Sequence, residues 1–198
     1  LNQIRVNPEN AYFATCFDTF LIKKSRIEQY DYDRLEFCVR KAETVRIPNF
    51  IEHICSHAFH LCKKLRKVEI GHDSRLKSFG EESFRESSIE KIAIPCQVTE
   101  ICEAAFFYCR NLRRVEIEND SKLEKIGDEA FSGSSIENII IPSQVRRIGK
   151  KAFFNCFRLH LVEIEEKSKL SKIELVTFFS SENVVITIPA DLRNRLIS

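Results

Sequence analysis

Residues 112–135 read LRRVEIENDSKLEKIGDEAFSGSS, and residues 89–111, just before them, read IEKIAIPCQVTEICEAAFFYCRN. Both open with Leu or Ile, then two variable residues, an apolar residue, a variable one and Ile. A loop follows, then an apolar residue, two polar residues, Ile, and finally Ala-Phe. The cores Val115-Glu116-Ile117 and Ile92-Ala93-Ile94 alternate with period 2, which is the pattern of a strand. A unit of about 23 residues cannot bury its own apolar side, whereas a stack of such units buries it continuously.

The same unit runs outward in both directions. Ile-Pro recurs at Ile47-Pro48, Ile94-Pro95, Ile141-Pro142 and Ile188-Pro189, always 47 residues apart. Val-Glu-Ile recurs at Val68, Val115 and Val162 with the same period. Phe59, Phe84, Phe106, Phe131, Phe153 and Phe178 are spaced 25, 22, 25, 22 and 25 residues apart, so each period holds two units. This predicts parallel strands around Val45, Val68, Ile92, Val115, Ile139, Val162 and Ile186. Seven strands at the usual separation make a sheet about 29 Å wide. Pro95 fits a strand that ends at Ile94, because Pro donates no ladder hydrogen bond. The Ala-Phe segments have room for one helical turn, so short helical or 3₁₀ turns are expected on the side opposite the sheet. The fold class is thus an α/β solenoid, with about six to seven units of 23 or 24 residues over 42–198.

Residues 1–41 fit the register poorly. Ala11-Tyr12 echoes Ala58-Phe59, but Lys23 then falls where an inward Ile is needed. Phe20-Leu21-Ile22 and Leu35-Glu36-Phe37-Cys38-Val39 read as two strands of a β-hairpin covering the end of the stack. Terminal repeats are commonly atypical.

Composition removes several function classes. The 198 residues include 31 Lys+Arg and 29 Asp+Glu, with 43% hydrophobic, 5 Gly and 5 Pro, too apolar for a disordered tail. A net charge of +2 gives little electrostatic case for nucleic acid. No run approaches the length of a membrane span, so no membrane insertion is expected within this segment. A chain that opens on Leu1 and contains no Met reads as processed or excised, so its lack of a leader carries no weight.

The recurring IGDEAFSGSSIENIIIPSQVRRIGKKAFFNC of Ile126 to Cys156 resembles the BspA-like class of leucine-rich repeats. That class is marked by Ile-Gly-x-x-Ala-Phe-x-x-Cys followed by an Ile-Pro strand. The resemblance covers residues 42–182, and Asn7-Pro8, Tyr12 and Asp18 to Ile22 resemble the irregular hairpin such proteins insert between repeat blocks. It implies a leucine-rich-repeat stack and a surface antigen or adhesin of parasitic protists or mucosal bacteria, binding host or matrix proteins. A cytoplasmic scaffold of the same fold is the alternative. The pattern departs at Glu174-Leu175-Val176-Thr177, where Gly-x-x-Ala is expected, and at Asn183, where Ile is expected.

Candidate chemistry is sparse. His53, Cys55, His57, His60 and Cys62 place five potential zinc ligands within ten residues. The register assigns them otherwise. Cys55 aligns with Cys102, Cys62 aligns with Cys109 and Cys156, and the histidines align with Glu100, Ala104 and Phe107. They read as buried thiols beside surface histidines, and no metal is expected. Cys62, Cys109 and Cys156 are two coils apart, at least about 9.6 Å, beyond the roughly 7 Å a disulfide spans. No disulfide is therefore expected among Cys55, Cys62, Cys102, Cys109 and Cys156. That argument does not reach Cys16 and Cys38 in the hairpin. Asn119-Asp120-Ser121 is a glycosylation sequon in a predicted loop. No nucleophile elbow, phosphate loop, dinucleotide fingerprint or HExxH helix occurs, so neither an enzyme nor a cofactor is expected.

The strand face remains. Its first variable row reads Glu43, Arg66, Glu90, Arg113, Glu137, His160, a charge-alternating ladder. The middle row reads Thr44, Lys67, Lys91, Arg114, Asn138, Leu161, Val185. Its three adjacent cations need Glu69 and Glu116 from the third row to neutralise them. Towards the C-terminus Ile140, Leu161, Val184 and Val185 make the face apolar. The expected binding residues for a protein ligand of acidic character are Lys67, Lys91, Arg114, Asn138 and Leu161.

Overall fold

The computed structural model describes residues 4–25, 32–171, 175–178 and 184–196. The period-2 segments form one parallel sheet, in chain order: Thr44–Ile47, Lys67–Ile70, Lys91–Ile94, Arg114–Ile117, Asn138–Ile141, Leu161–Ile164 and Val185–Thr187. All seven lie where the repeat places them. Their second residues, such as Ile92, Val115 and Ile139, point into the core, while the residues at the strand starts face outward.

A second parallel sheet was not legible in the sequence. It is built from two-residue strands, His53–Ile54, Ser78–Phe79, Glu100–Ile101, Lys125–Ile126 and Arg147–Ile148. Each lies in the segment that ends in the repeat-locked Ile or Phe. After three of them comes glycine, and a Cβ on Gly127 would stand 2.6 Å from the carbonyl carbon of Cys102 in the coil before. The N-terminal hairpin continues this sheet. Arg34–Cys38 pairs in parallel with His53–Ile54 and antiparallel with Phe20–Lys23. One further strand, Phe13–Cys16, pairs antiparallel with Phe20–Lys23.

The helical turns expected opposite the long strands are not there. Helix among the described residues is confined to a 3₁₀ turn, Leu175–Phe178, and the C-terminal helix Ala190–Leu196. The Ala-Phe segments instead form a column of turns whose N–H groups alternate between two kinds of partner. Phe59 N donates to Ser83 O of the next coil at 2.6 Å, while His60 N donates back to His57 O at 3.0 Å. The same alternation serves Phe84 and Arg85, Phe106 and Phe107, and Phe131 and Ser132. A 3₁₀ helix would use every N–H inside its own coil and leave the coils unlinked on this side. Alternation requires left-handed residues at the two ends of each turn: His57 and Leu61, Glu82 and Glu86, Ala104 and Tyr108, Glu129 and Gly133, Lys151 and Asn155, with φ from +50 to +70°. Left-handed backbone costs a non-glycine residue roughly 1–2 kcal/mol. The coil-to-coil bonds and the burial behind them offset that cost.

Inside the turn column the repeat-locked phenylalanines stack. Ring centroids are 4.4 Å apart for Phe59–Phe84, 5.3 Å for Phe84–Phe106, 5.1 Å for Phe106–Phe131, 5.5 Å for Phe131–Phe153 and 5.4 Å for Phe153–Phe178. Phe59 to Phe153 are fully buried and Phe178 is half-buried. Phe20 of the hairpin closes the stack edge-on at 6.2 Å from Phe59, which is why the cap belongs at this end. At the other end Leu192 of the terminal helix enters the same core. Glu174 and Asn183, where the repeat pattern departs, lie outside the described residues.

Candidate binding face

The long-strand sheet brings the five expected residues into one row. Lys67 is paired in register with Lys91, Lys91 with Arg114, Arg114 with Asn138, and Asn138 with Leu161. The first four are exposed, and Leu161 is half-buried. Thr44 and Val185 extend the row at either end. The apolar end is partly exposed, with Ile140 at 52% and Val185 at 61% of full accessibility.

The charges in the row are unequally answered. Lys67 Nζ lies 2.5 Å from Glu69 Oε1, and Arg114 Nη1 lies 3.7 Å from Glu116 Oε1. Hydrogen bonding from Lys67 holds the Glu69 carboxyl below its ordinary range. Each partner stands two residues along the same strand. At Lys91 that place is Ala93, and among the described residues no ion pair forms to Lys91. In the neighbouring row Arg66 Nη1 meets Glu90 Oε1 at 3.4 Å. Exposed pairs of this kind are worth about 0–1 kcal/mol, so an incoming carboxylate displaces them at small cost. Arg66, Lys67, Glu90, Lys91, Arg113 and Arg114 line a shallow depression of about 450 Å³.

The histidines of the turn column form a separate cluster. His57 Nδ1 is 3.3 Å from Glu82 Oε2, and the His57 and His60 rings are 5.7 Å apart. Their ligand atoms converge with that carboxylate. Arg85 Nη1 holds the other oxygen of Glu82 at 2.8 Å, which sets a fixed positive charge against any cation there. Burial, then the neighbouring His57, pushes the His60 imidazole below its ordinary range.

The repeat of the BspA type leucine rich repeat region matches in six copies, over residues 25–160 and 124–195. The chain belongs to the BspA-type leucine-rich repeat family. Among solved structures it is similar to the pneumococcal vaccine antigen PcpA, at 28% identity and a TM-score of 0.60, over 63% of this chain and 31% of that one. It therefore spans under a third of that antigen's length. A Treponema pallidum leucine-rich repeat protein aligns at 23% identity and TM-score 0.71, over 87% of this chain and 80% of the other. A leucine-rich cell surface protein of Faecalibacterium prausnitzii aligns at 22% identity and TM-score 0.52, over 82% and 54%. These last two speak to the fold. No curated protein matches the sequence. Leucine-rich repeats are generally non-catalytic, protein-interacting modules, and no helix among the described residues is long and apolar enough to cross a membrane.

Within the BspA-type repeat, Cys62, Cys109 and Cys156 are buried as their shared slot requires. All eight thiols are free. Cys55 is buried too, whereas Cys102 is half-buried, a looser position than the register implies. One feature of this BspA-type array had no sequence signal. Phe107, Tyr108 and Phe157 stand outside the periodic slots, at the corner between the turn column and the long strands. They line two depressions of about 590 and 490 Å³, with Arg85 4.8 Å above the Phe107 ring and Arg110 5.1 Å above Tyr108.

Proposed function

We propose that this array is a non-catalytic, protein-binding part of a cell-surface antigen or adhesin that engages host or matrix proteins. Its ligand docks on the long-strand face at Lys67, Lys91, Arg114, Asn138 and Leu161. The observation that carries the reading is the unanswered Lys91 at the centre of a continuous outward row, flanked by Lys67 and Arg114. A paired sheet presents those side chains with little ordering cost on binding. Its breadth and shallowness suit a macromolecule better than a small metabolite. The cations select an acidic ligand, and the apolar end around Ile140 and Val185 adds contact area. The surface assignment draws on the family and on neighbours described as a vaccine antigen and a cell surface protein.

Fluorescence anisotropy with a labelled oligoglutamate peptide tests the face. Binding should weaken with salt. The double variant Lys91→Glu/Arg114→Glu should lose binding at nearly unchanged melting temperature. Full binding by that variant, or loss only in Lys150→Glu/Lys151→Glu on the opposite side, defeats the assignment. The alternative reading, an intracellular scaffold, is favoured by the eight free thiols, which suit a reducing compartment. An antibody to this domain separates the two, by labelling intact source cells or only permeabilised ones.

A further inference from the structure

The corner between the turn column and the long strands comes in two lengths. From the column phenylalanine to the first inward strand residue it takes nine steps at Phe59 to Val68, Phe106 to Val115 and Phe153 to Val162, but eight at Phe84 to Ile92 and Phe131 to Ile139. The shorter corners carry only Ser87-Ser88 and Ser134-Ser135, small side chains between the bulkier corners of the coils on either side. Each serine pair floors one of the two depressions, of about 590 and 490 Å³. The floors are pinned alike: Ser87 Oγ lies 3.4 Å from Cys109 Sγ, and Ser134 Oγ lies 3.4 Å from Cys156 Sγ.

The walls repeat as well. Lys63 and Arg110 flank the first depression, and their counterparts 47 residues on, Arg110 and Phe157, flank the second. Tyr108 and Arg110 line both and form the partition between them, with the guanidinium 5.1 Å over the ring. Gly133, at φ +70°, makes room for that ring, since a Cβ there would stand 2.9 Å from it. Two like depressions thus lie two coils apart, about 9.6 Å at the usual strand separation. An α-helix returns to the same face about every 5.4 Å, and an extended strand about every 6.7 Å. A polyproline II chain, with three residues per turn and a rise of about 3.1 Å, does so about every 9.3 Å, which matches the depressions. The charge of the lining is one-sided. Glu86, the carboxylate of the first depression, is held by Lys63 at 3.2 Å and Arg85 at 3.8 Å. The second is lined by Arg110 and Arg158 without a carboxylate, and among the described residues no ion pair forms to either arginine.

We propose that this corner is a second binding site, which takes an acidic polyproline II segment of a partner protein, with prolines three residues apart seated one in each depression. The proline rings pack on Tyr108 and Phe157, the way aromatic-lined grooves take such segments. A polyproline II backbone has no internal hydrogen bonds, so its carbonyls are free to accept from Arg110, and its stiffness keeps the ordering cost low. Carboxylates between the prolines meet Arg110 and Arg158, the two cations that the fold leaves without a partner acid. The corner lies outside the strand-face row of Lys67 to Leu161, and the inference does not rest on the reading of that row.

Fluorescence anisotropy with the purified chain tests it, using a labelled peptide of three Pro-Glu-Pro triplets and a control of three Ala-Glu-Ala triplets. The control keeps the charge and loses the prolines. The proline probe should bind about tenfold or more tightly than the control, and Phe157→Ala should weaken it about tenfold, the scale of an interface anchor. Circular dichroism and the urea midpoint of that variant should match the parent. Arg110→Gln should weaken the proline probe and flatten its salt dependence. Lys91→Glu/Arg114→Glu, which should abolish oligoglutamate binding on the strand face, should keep the preference for proline, so the two sites fail separately. Equal affinity for the two probes, no binding of the proline probe, or full binding by Phe157→Ala would overturn the proposal. So would loss of the proline preference in Lys91→Glu/Arg114→Glu alone, which places the probe on the strand face. Self-association of the chain that Phe157→Ala abolishes would assign the depressions to a second copy and overturn it too.

Discussion

Replacing Phe131 with Ala removes a ring from the middle of the aromatic stack. Phe131 is fully buried, with Phe106 at 5.1 Å and Phe153 at 5.5 Å, both nearly parallel to it. Taking its side chain out of contact forfeits about 2–3 kcal/mol of apolar transfer. Two ring pairs add about 1–3 kcal/mol. The sum agrees with the usual cost of about 3–5 kcal/mol for a buried Phe→Ala change. In a chain of this size that lowers the melting temperature by about 6–20 °C. Each coil touches only its neighbours, so the loss falls on both interfaces of one coil and the rest of the stack gives little help. Urea unfolding followed by far-UV circular dichroism measures it. Phe157, 73% exposed, is the control, and its Ala variant should stay within about 0.5 kcal/mol of the parent. A Phe131→Ala loss below about 1 kcal/mol, or one no larger than that of Phe157→Ala, would refute the stack as the main source of cohesion.

Gly127→Ala should cost about 1–3 kcal/mol in the same urea titration, because its Cβ meets the Cys102 backbone at 2.6 Å. Gly71→Ala should cost less, since the atom it approaches is the tip of the Asp73 side chain. The thiols of Cys109 and Cys156 are raised by burial from 9.0 to about 12 and about 11, so their stabilisation is intact below about pH 9 and falls as pH rises through that window. Moving from pH 8 to pH 10 should lower stability by on the order of 1 kcal/mol per thiol. A Cys109→Ala variant should show a shallower decline, and an identical slope would contradict the burial cause.

The sequence disclosed what repeats and concealed what does not. The seven long strands and the phenylalanine stack were readable because each needs the same residue type every half period. The five outward residues were readable as a row for the same reason, whereas the structure was needed to show that Glu69 and Glu116 pair with Lys67 and Arg114 and not with Lys91. The second sheet escaped because a strand of two residues, such as Lys125–Ile126, is too short to display alternation. The turn column escaped because most of its left-handed residues, such as Leu61, Glu82, Glu86, Ala104, Glu129 and Lys151, do not announce that conformation, and Gly133 and Asn155 stand at the far end of only two of the turns. Helix was the natural expectation for Ala-Phe segments, and coil-to-coil hydrogen bonding overrode it.

The alternating bonds of the turn column also give the stack a polarity. Every coil-to-coil N–H in that column, from His57, Phe59 and Leu61 through Phe153, points toward the C-terminal end, and every accepting carbonyl points back. Aligned peptide groups sum their dipoles, as they do along a helix. The column therefore carries partial positive charge at its C-terminal end and partial negative charge at its N-terminal end, the reverse of an α-helix. At the negative end Ala58 O accepts the Cys38 N–H of the hairpin, and the Arg40 cation sits close by. Another coil added beyond Thr177 must offer carbonyls, while anything laid before Ala58 must offer N–H groups or cations. The two ends of this array are thus not interchangeable, and blocks of such repeats can join only head to tail.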